Sequence, residues 1–252
     1  MVNLLSLAPN EKIMAILPVR EFREHEFIAI ATRDGVVKKT TLSELKNVRS
    51  SGIVAISIDE GDQLVSARLT RGGEDVFLCS LSGKSIRFNE SDVRAMGRAA
   101  RGVCGMTLED GDKVVTMEVL NPSAAAPEIL TVTEAGYGKR TPVEEYRSQS
   151  RGGKGIITMK TTERNGNIAG ARQVRPQDDV MLVSNKGQMI RIRVGEISEQ
   201  GRNTQGVRLM TMSAGERVVA FEYMAESAEN GNGAGAAEQG SPEAAPEGDT
   251  SH

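Results

Sequence analysis

The chain has 252 residues, with 34 acidic and 31 basic side chains and a formal net charge of −3. That length allows one large domain or two, and no stretch is apolar over the length needed to cross a membrane. Two cysteines and two widely separated histidines argue against a metal cluster, so we expect no metal and no cofactor in this chain. Cys79 and Cys104 lie in apolar stretches, which predicts buried, reduced thiols in a cytoplasmic protein.

The charge is unevenly distributed along the chain. Residues 225–252 carry six acidic side chains and neither Lys nor Arg, which leaves 31 basic and 28 acidic side chains in residues 1–224. This acidic tail has few apolar side chains to bury, so we expect it to be disordered. A nucleic-acid interface would therefore depend on clustered cations in residues 1–224 rather than on the total charge.

The predicted elements begin with a partial unit and continue as four full repeats. Residues 2–19, VNLLSLAPNEKIMAILPV, read as a strand, a polar turn and a strand, which predicts a partial blade over residues 1–22. The full repeats cover residues 27–70, 75–120, 128–174 and 179–224. Each reads as four short antiparallel strands, the size of one propeller blade, and no amphipathic helix is predicted.

Each repeat opens with an apolar run and a turn glycine, at Gly35, Gly83, Gly136 and Gly187. Four residues later comes a cation, and nine residues later an acid followed by an apolar residue. The cations are Lys39, Arg87, Arg140 and Arg191. A loop then closes on a second glycine, at Gly52, Gly102, Gly155 and Gly206. Charge that recurs once per blade predicts a basic track on the rim of a disc.

The alternation of strand side chains supports this track. In SIRFN, Ile86 and Phe88 point to one face and Arg87 to the other. In MIRIRV, Arg191 and Arg193 oppose the isoleucines in the same way. Lys38 and Lys139 interrupt the alternation, which suggests that they lie near a blade end where both faces are wet.

The closing loops carry a second set of cations. Arg98, Arg151 and Arg202 each stand four residues before the closing glycine of their repeat. In SQSRGGKGI (148–156), the glycines permit a tight turn and a close approach of the backbone to a phosphate. The complete set of predicted DNA-binding residues is Lys38, Lys39, Arg49, Arg87, Arg98, Arg101, Lys139, Arg140, Arg151, Lys154, Arg191, Arg193, Arg202 and Arg208.

The strings NEKIMAILPV, GVVKKT, VRAMG, EGDKVV, GYGKRTPVEEY, TERNG and EISEQGRNTQGV resemble the C-terminal domain of the DNA gyrase A protein over nearly all of residues 2–224. The resemblance implies an all-β β-pinwheel whose outer strands pass to the neighbouring blade, with duplex DNA wrapped around a basic rim. It also implies partners, namely the gyrase B protein and the rest of the A protein, and a cytoplasmic, nucleoid-associated location. The isolated domain is expected to be a monomer without membrane contact.

The family's Q-R-R-G-G-K-G box is expected upstream of Met1. QSRGGKG resembles a degenerate copy of that box, formed by Gln149, Arg151, Gly152, Gly153, Lys154 and Gly155, with Ser150 as the departure. The tyrosine that cleaves DNA belongs to another part of the family's A protein, so this chain should have no catalytic residue. The alternatives are the corresponding domain of topoisomerase IV, which shares the blade plan, and a propeller that acts as a protein-interaction scaffold.

Overall fold

The structure, a computed structural model, describes residues 11–47, 52–121 and 127–224. Within these ranges the regular structure consists of β-strands and short 3₁₀ turns, as the all-β prediction requires. The strands are β1 (Phe27–Thr32), β2 (Val36–Thr41), β3 (Leu64–Thr70), β4 (Asp75–Ser80), β5 (Lys84–Asn89), β6 (Val103–Cys104), β7 (Val114–Leu120), β8 (Glu128–Thr133), β9 (Tyr137–Pro142), β10 (Ile156–Ile157), β11 (Ile168–Val174), β12 (Asp179–Ser184), β13 (Met189–Arg193), β14 (Val207–Arg208) and β15 (Val218–Met224). No helix in the described ranges has the length and apolarity to span a bilayer.

The strands form four antiparallel sheets, which we number as blades 1 to 4. From the centre outwards the strand orders are β3-β1-β2-β6, β7-β4-β5-β10, β11-β8-β9-β14 and β15-β12-β13. The first strand of each sheet contacts the first strand of the next, so these four inner strands line a central channel. The arrangement confirms the predicted β-pinwheel.

Each repeat after the first donates its short strand to the outer edge of the preceding blade. The outermost strand of blade 1, β6, comes from the second repeat and pairs with Val36 and Val37 of β2. In the same way β10 of the third repeat completes blade 2, and β14 of the fourth repeat completes blade 3. Each blade is therefore tied to its neighbour by backbone hydrogen bonds at its outer edge.

The hydrophobic core lies between consecutive blades. One cluster joins Ala31 and Val37 of blade 1 to Leu78 and Phe88 of blade 2. Two further clusters repeat this packing between blades 2 and 3 and between blades 3 and 4. Blade 2 is covered on both faces by blades 1 and 3, so all six residues of its strand β4 are buried.

A ladder of alternating charges runs along the central channel. It uses the fifth residue of each inner strand, which is Arg68, Glu118, Arg172 and Glu222 in chain order. Arg68 Nη2 lies 2.9 Å from Glu118 Oε1, and Arg172 Nη2 lies 2.6 Å from Glu222 Oε1. Arg172 also approaches Glu118 at 3.6 Å, so the four blades are connected electrostatically at the centre as well as by exchanged strands at the edge.

Three expectations concern the ends of the chain and the cysteines. Residues 1–10 of the predicted partial blade and the acidic tail lie outside the described residues. Residues 11–19 form no strand, and their segment Ile13–Ile16 lines a recess of the channel of about 530 Å³. Cys79 is buried as predicted, and burial raises the pKa of its thiol, but the prediction is wrong for Cys104, which is exposed on the edge strand β6.

Candidate nucleic-acid interface

The cation four residues after each turn glycine has a partner twelve residues earlier in the same blade. Arg87 Nε lies 2.7 Å from Asp75 Oδ2, and Arg140 Nη1 lies 2.6 Å from Glu128 Oε2. Each pair is diagonal across two hydrogen-bonded strands, because the acid lies two residues from the residue directly opposite the arginine.

Blades 4 and 1 keep this arrangement in altered form. Arg191 pairs with Asp179 in blade 4. In blade 1 the acid is replaced by Phe27, whose ring centroid lies 5.0 Å from Lys39 Nζ. Lys39 also donates to the carbonyl oxygen of Glu90 in blade 2, at 2.9 Å.

The same guanidiniums bind the following blade. Arg87 Nη1 donates to the carbonyl oxygens of Val143 and Tyr146, at 3.1 and 3.2 Å. Arg140 Nε donates to the carbonyl oxygen of Ile197 at 2.7 Å. These arginines therefore join consecutive blades, because one end of the side chain is held by an acid and the other by the neighbour's backbone.

The predicted exposure of these cations on a DNA-facing rim is wrong for Lys39, Arg87 and Arg140. The side chains of Arg87 and Arg140 are only 16% and 12% exposed, and their donors are directed at protein oxygens. Arg191 differs because the structure describes no following blade, and its side chain is 63% exposed. Arg193 is likewise exposed, so these two cations keep their predicted availability.

Lys38 and Lys139 are buried, at 1% and 0% exposure, which contradicts their predicted place at a wet blade end. Lys139 Nζ donates to the carbonyl oxygens of Gly201 and Arg202, at 2.5 and 2.6 Å, and to Thr204 Oγ1 at 3.0 Å. Burial lowers the pKa of Lys139 to about 8. Lys38 similarly donates to the carbonyl oxygens of Ala55 and Arg98, and burial lowers its pKa. Both ammonium groups hold loops in place and cannot reach a phosphate.

The closing loops dock on the repeat before their own. Arg151 donates from Nε to the carbonyl oxygen of Asp92 and from Nη1 to that of Cys104, both at 3.0 Å. Arg202 Nη1 donates to the carbonyl oxygen of Ile157 at 2.9 Å, one blade further on. Arg98 lies at the equivalent place beside Ile53 and Val54 of the first repeat. These three arginines are half-buried, so they position the loops more than they present charge.

The glycines of SQSRGGKGI serve close packing against blade 2. Gly155 has φ +72°, and a Cβ there would lie 2.4 Å from the carbonyl oxygen of Ser85. The Gly152 N–H donates to the carbonyl oxygen of Gly105 at 2.7 Å, and the Gln149 N–H donates to that of Arg87 at 2.8 Å. Of the degenerate box, only Lys154 is left exposed with its ammonium group free of a hydrogen bond within the described ranges.

Two further predicted cations are exposed, and one lies outside the described residues. Arg101, one residue before its closing glycine like Lys154, is exposed and forms an ion pair with Asp59. Arg208, on the outermost strand of blade 3, is exposed and lies over the ring of Tyr137. Arg49 falls in residues 48–51, which are not described.

Sequence reasoning missed a row of cations on the outer edge. Lys46, Arg94 and Arg147 each stand eleven residues after the turn glycine, and all three are exposed. The residues after the two arginines, Ala95 and Ser148, form parallel bridges to Lys39 and Arg87 of the preceding blade. This places the row beside the exchanged strands. Its signal was the recurrence at a fixed spacing, which Ser198 interrupts in the fourth repeat.

The predicted cations that remain exposed lie at the outer edge, together with the row of three just described. We call this set the edge cations, and it consists of Lys46, Arg94, Arg101, Arg147, Lys154, Arg191, Arg193 and Arg208. Blades that exchange their outer strands around a channel, with repeated exposed cations along the edge, define the β-pinwheel class of propeller domains.

Comparison with known proteins agrees with that class. The family model of the DNA gyrase C-terminal domain, a β-propeller, matches residues 26–71, 74–121, 127–175 and 178–222. The chain belongs to this family.

Curated relatives from two bacteria are gyrase A proteins. The gyrase A protein of Salmonella typhimurium is 48% identical over 225 residues, and that of Klebsiella oxytoca is 47% identical over 252 residues. These alignments cover 89% and 99% of this chain but 25% and 28% of the relatives, so the chain spans about a quarter of their length.

Two solved structures are similar in fold, each at 27% identity over 88% of this chain. The DNA gyrase A C-terminal domain gives a TM-score of 0.79 over 73% of its chain. The C-terminal domain of DNA topoisomerase IV gives 0.82 over 69% of its chain.

Proposed function

We propose that this chain binds duplex DNA without sequence preference and bends it around the outer edge of the blades. The observation that carries the proposal is the row Lys46, Arg94 and Arg147, three exposed cations at one repeated place. Lys and Arg that neutralise phosphates release counterions and need no contact with base edges. A rigid ring of blades presents these contacts along a curve.

Bending the duplex around the blades requires many contacts with the protein. Smooth bending costs on the order of 1–6 kcal/mol per 20–30 bp, so several phosphate contacts must act along the path. Aromatic residues make up 3% of the chain and Trp is absent, which disfavours stacking on single-stranded bases. The edge cations suit the sugar-phosphate backbone of a duplex.

We further propose that the chain acts as part of a DNA gyrase A protein in the cytoplasm, together with the gyrase B protein and the rest of the A protein. The names of the curated relatives support this assignment. The domain itself would bind DNA without cleaving it and without a cofactor. Its two tyrosines with described side chains are unsuited to attack a phosphate, since Tyr137 and Tyr146 are 4% and 1% exposed.

The first test is DNA affinity as a function of salt on two unrelated duplex sequences. We expect a steep fall of log affinity with log salt and equal slopes on both sequences. The triple variant Lys46→Ala/Arg94→Ala/Arg147→Ala should bind more weakly with a shallower slope. The matched control Arg71→Ala/Arg175→Ala/Arg217→Ala removes the same charge from exposed positions beside the inner strands. Equal losses in the two triple variants would overturn the edge assignment.

The second test asks whether the DNA is wrapped. The chain is incubated with relaxed circular DNA, the circles are resealed by a nicking-closing enzyme, and their linking number is measured. A handed wrap shifts the linking number, whereas an unbent complex leaves it unchanged. An unchanged linking number at saturating protein would refute the wrapping part of the proposal and leave simple binding.

A further inference from the structure

Tyr137 holds two arginines at the outer edge of blade 3. Its hydroxyl accepts a hydrogen bond from Arg164 Nε at 3.2 Å and another from Arg208 Nη2 at 3.1 Å. The guanidinium carbons lie 5.2 and 5.6 Å from the centroid of its ring, within the range of a cation–π contact. The tyrosine is buried while both arginines are exposed, so two guanidiniums converge on one neutral oxygen at the surface.

The charge of this pair is uncompensated in the described part of the chain. Neither Arg164 nor Arg208 forms an ion pair there, although Glu163 precedes Arg164 and Glu134 lies three residues before Tyr137. Hydrogen bonds from Arg208 and Arg164 lower the pKa of Tyr137, since they stabilise its phenolate. Two like charges held together repel each other, and an anion between them would relieve that repulsion.

The repeats provide an internal comparison. At the place of Tyr137, blade 2 has Lys84, which forms an ion pair with Glu109 and leaves the site neutral. At the place of Arg208, blade 2 has Ile157. Arg164 lies in a connection between the closing glycine and the inner strand that is one residue longer than its counterparts. The double-arginine arrangement occurs in blade 3 and in no other described blade.

We propose that Arg164 and Arg208, positioned by Tyr137, bind one phosphate group of the DNA backbone where the duplex crosses blade 3. This inference rests on the proposed function and names a two-arginine site, in which the edge cation Arg208 is joined by Arg164. Each guanidinium has five N–H donors and uses one on the tyrosine oxygen, so four remain for a phosphate. Arg208 stands on the outermost strand β14, which makes the site continuous with the edge.

The test compares the salt dependence of duplex binding for the parent and three variants. The variant Arg164→Ala/Arg208→Ala should lower affinity about tenfold and reduce the magnitude of the salt slope by about 1. The matched control Arg175→Ala/Arg217→Ala removes two exposed charges beside the inner strands and should leave the slope unchanged. Tyr137→Phe keeps the ring but removes the acceptor, so it should lower affinity less than the double variant does.

A second readout follows the tyrosine itself. The phenol of Tyr137 is titrated by ultraviolet absorbance, with Tyr137→Phe used to assign the signal. A bound phosphate would offset the positive charge of the two guanidiniums near the hydroxyl. Duplex DNA should therefore raise the pKa of Tyr137 towards its ordinary value. Inorganic phosphate at high concentration should raise it in the same direction.

The outcomes separate the two proposals. If the parent chain does not bind duplex DNA, the proposed function fails. If the parent binds DNA but the double-arginine variant matches its control and the pKa of Tyr137 does not move, the phosphate site fails and the proposed function stands. A pKa that responds to inorganic phosphate but not to DNA would also overturn the site as stated, because DNA would not occupy it.

Discussion

Arg140 and Glu128 form an ion pair of 2.6 Å across one blade, and Arg140 Nε donates at 2.7 Å to the carbonyl oxygen of Ile197 in the next. The pair thus links two blades through one guanidinium. The side chains of Glu128 and Arg140 are both nearly buried, at 8% and 12% exposure. Loss of Arg140 would leave the desolvated Glu128 carboxylate and the Ile197 carbonyl oxygen without this donor.

The first prediction compares Arg140→Ala with Arg191→Ala. Arg140→Ala leaves Glu128 buried without its cation, so we expect a loss of about 3 kcal/mol in the free energy of unfolding. Arg191 occupies the same place in blade 4 but is mostly exposed, so its removal should cost less than about 1 kcal/mol. Chemical denaturation of both variants measures the difference. Similar costs would show that contact with the following blade adds nothing.

The repeats could be predicted from the sequence because their signals are local. Turn glycines such as Gly136 and the apolar runs before them recur at nearly constant spacing. Strand alternation then placed Arg87 opposite Ile86 and Phe88, which was right for the sheet. The predicted exposure of Arg87 was wrong, because both faces of its blade are covered by neighbouring blades.

The partners of the cations were harder to predict. The acid twelve residues before Arg87, Arg140 and Arg191 is visible in the sequence once the hairpin register is known. The carbonyl oxygens of Val143 and Ile197 are not visible, since they lie more than fifty residues away and depend on how blades stack. The edge row with Lys46 was within reach, because it recurs at a fixed spacing from the turn glycine.

The second prediction concerns pH and Lys139. Burial lowers the pKa of Lys139 to about 8 in the folded protein, whereas an unfolded chain holds this proton to about pH 10.4. Between these values the unfolded state binds more protons, so the free energy of unfolding should rise with pH. Relative to Lys139→Met, the parent should gain roughly 1–3 kcal/mol from pH 8 to pH 10. A constant difference between the two proteins over this range would contradict a titrating Lys139.

The third prediction separates structure from charge within SQSRGGKGI. Arg151 donates to two carbonyl oxygens of the preceding repeat, so Arg151→Ala should lower the free energy of unfolding by about 1–3 kcal/mol. Lys154 is exposed, so Lys154→Ala should leave stability within about 0.5 kcal/mol of the parent and weaken DNA binding modestly. Thermal unfolding and DNA affinity are measured on both variants. Unchanged DNA affinity in Lys154→Ala would remove this lysine from the edge cations.

The fourth prediction concerns residues 225–252, whose six acidic side chains are accompanied by no Lys or Arg. A tethered acidic segment can compete with phosphates for the edge cations at a high effective concentration. Deletion of these residues should therefore tighten DNA binding. The gain should shrink as salt rises, because the Debye length is about 8 Å at physiological ionic strength and shorter above it.

The matched control keeps the length of that segment and removes its charge. In this variant Glu226, Glu229, Glu238, Glu243 and Glu247 are replaced by Gln and Asp249 by Asn. If competition is electrostatic, the neutralised variant and the deletion should bind DNA equally tightly at low salt, and both more tightly than the parent. A neutralised variant that binds like the parent, beside a deletion that binds more tightly, would assign the effect to the bulk of the segment. Equal affinity of all three proteins at low salt would rule out competition at the edge.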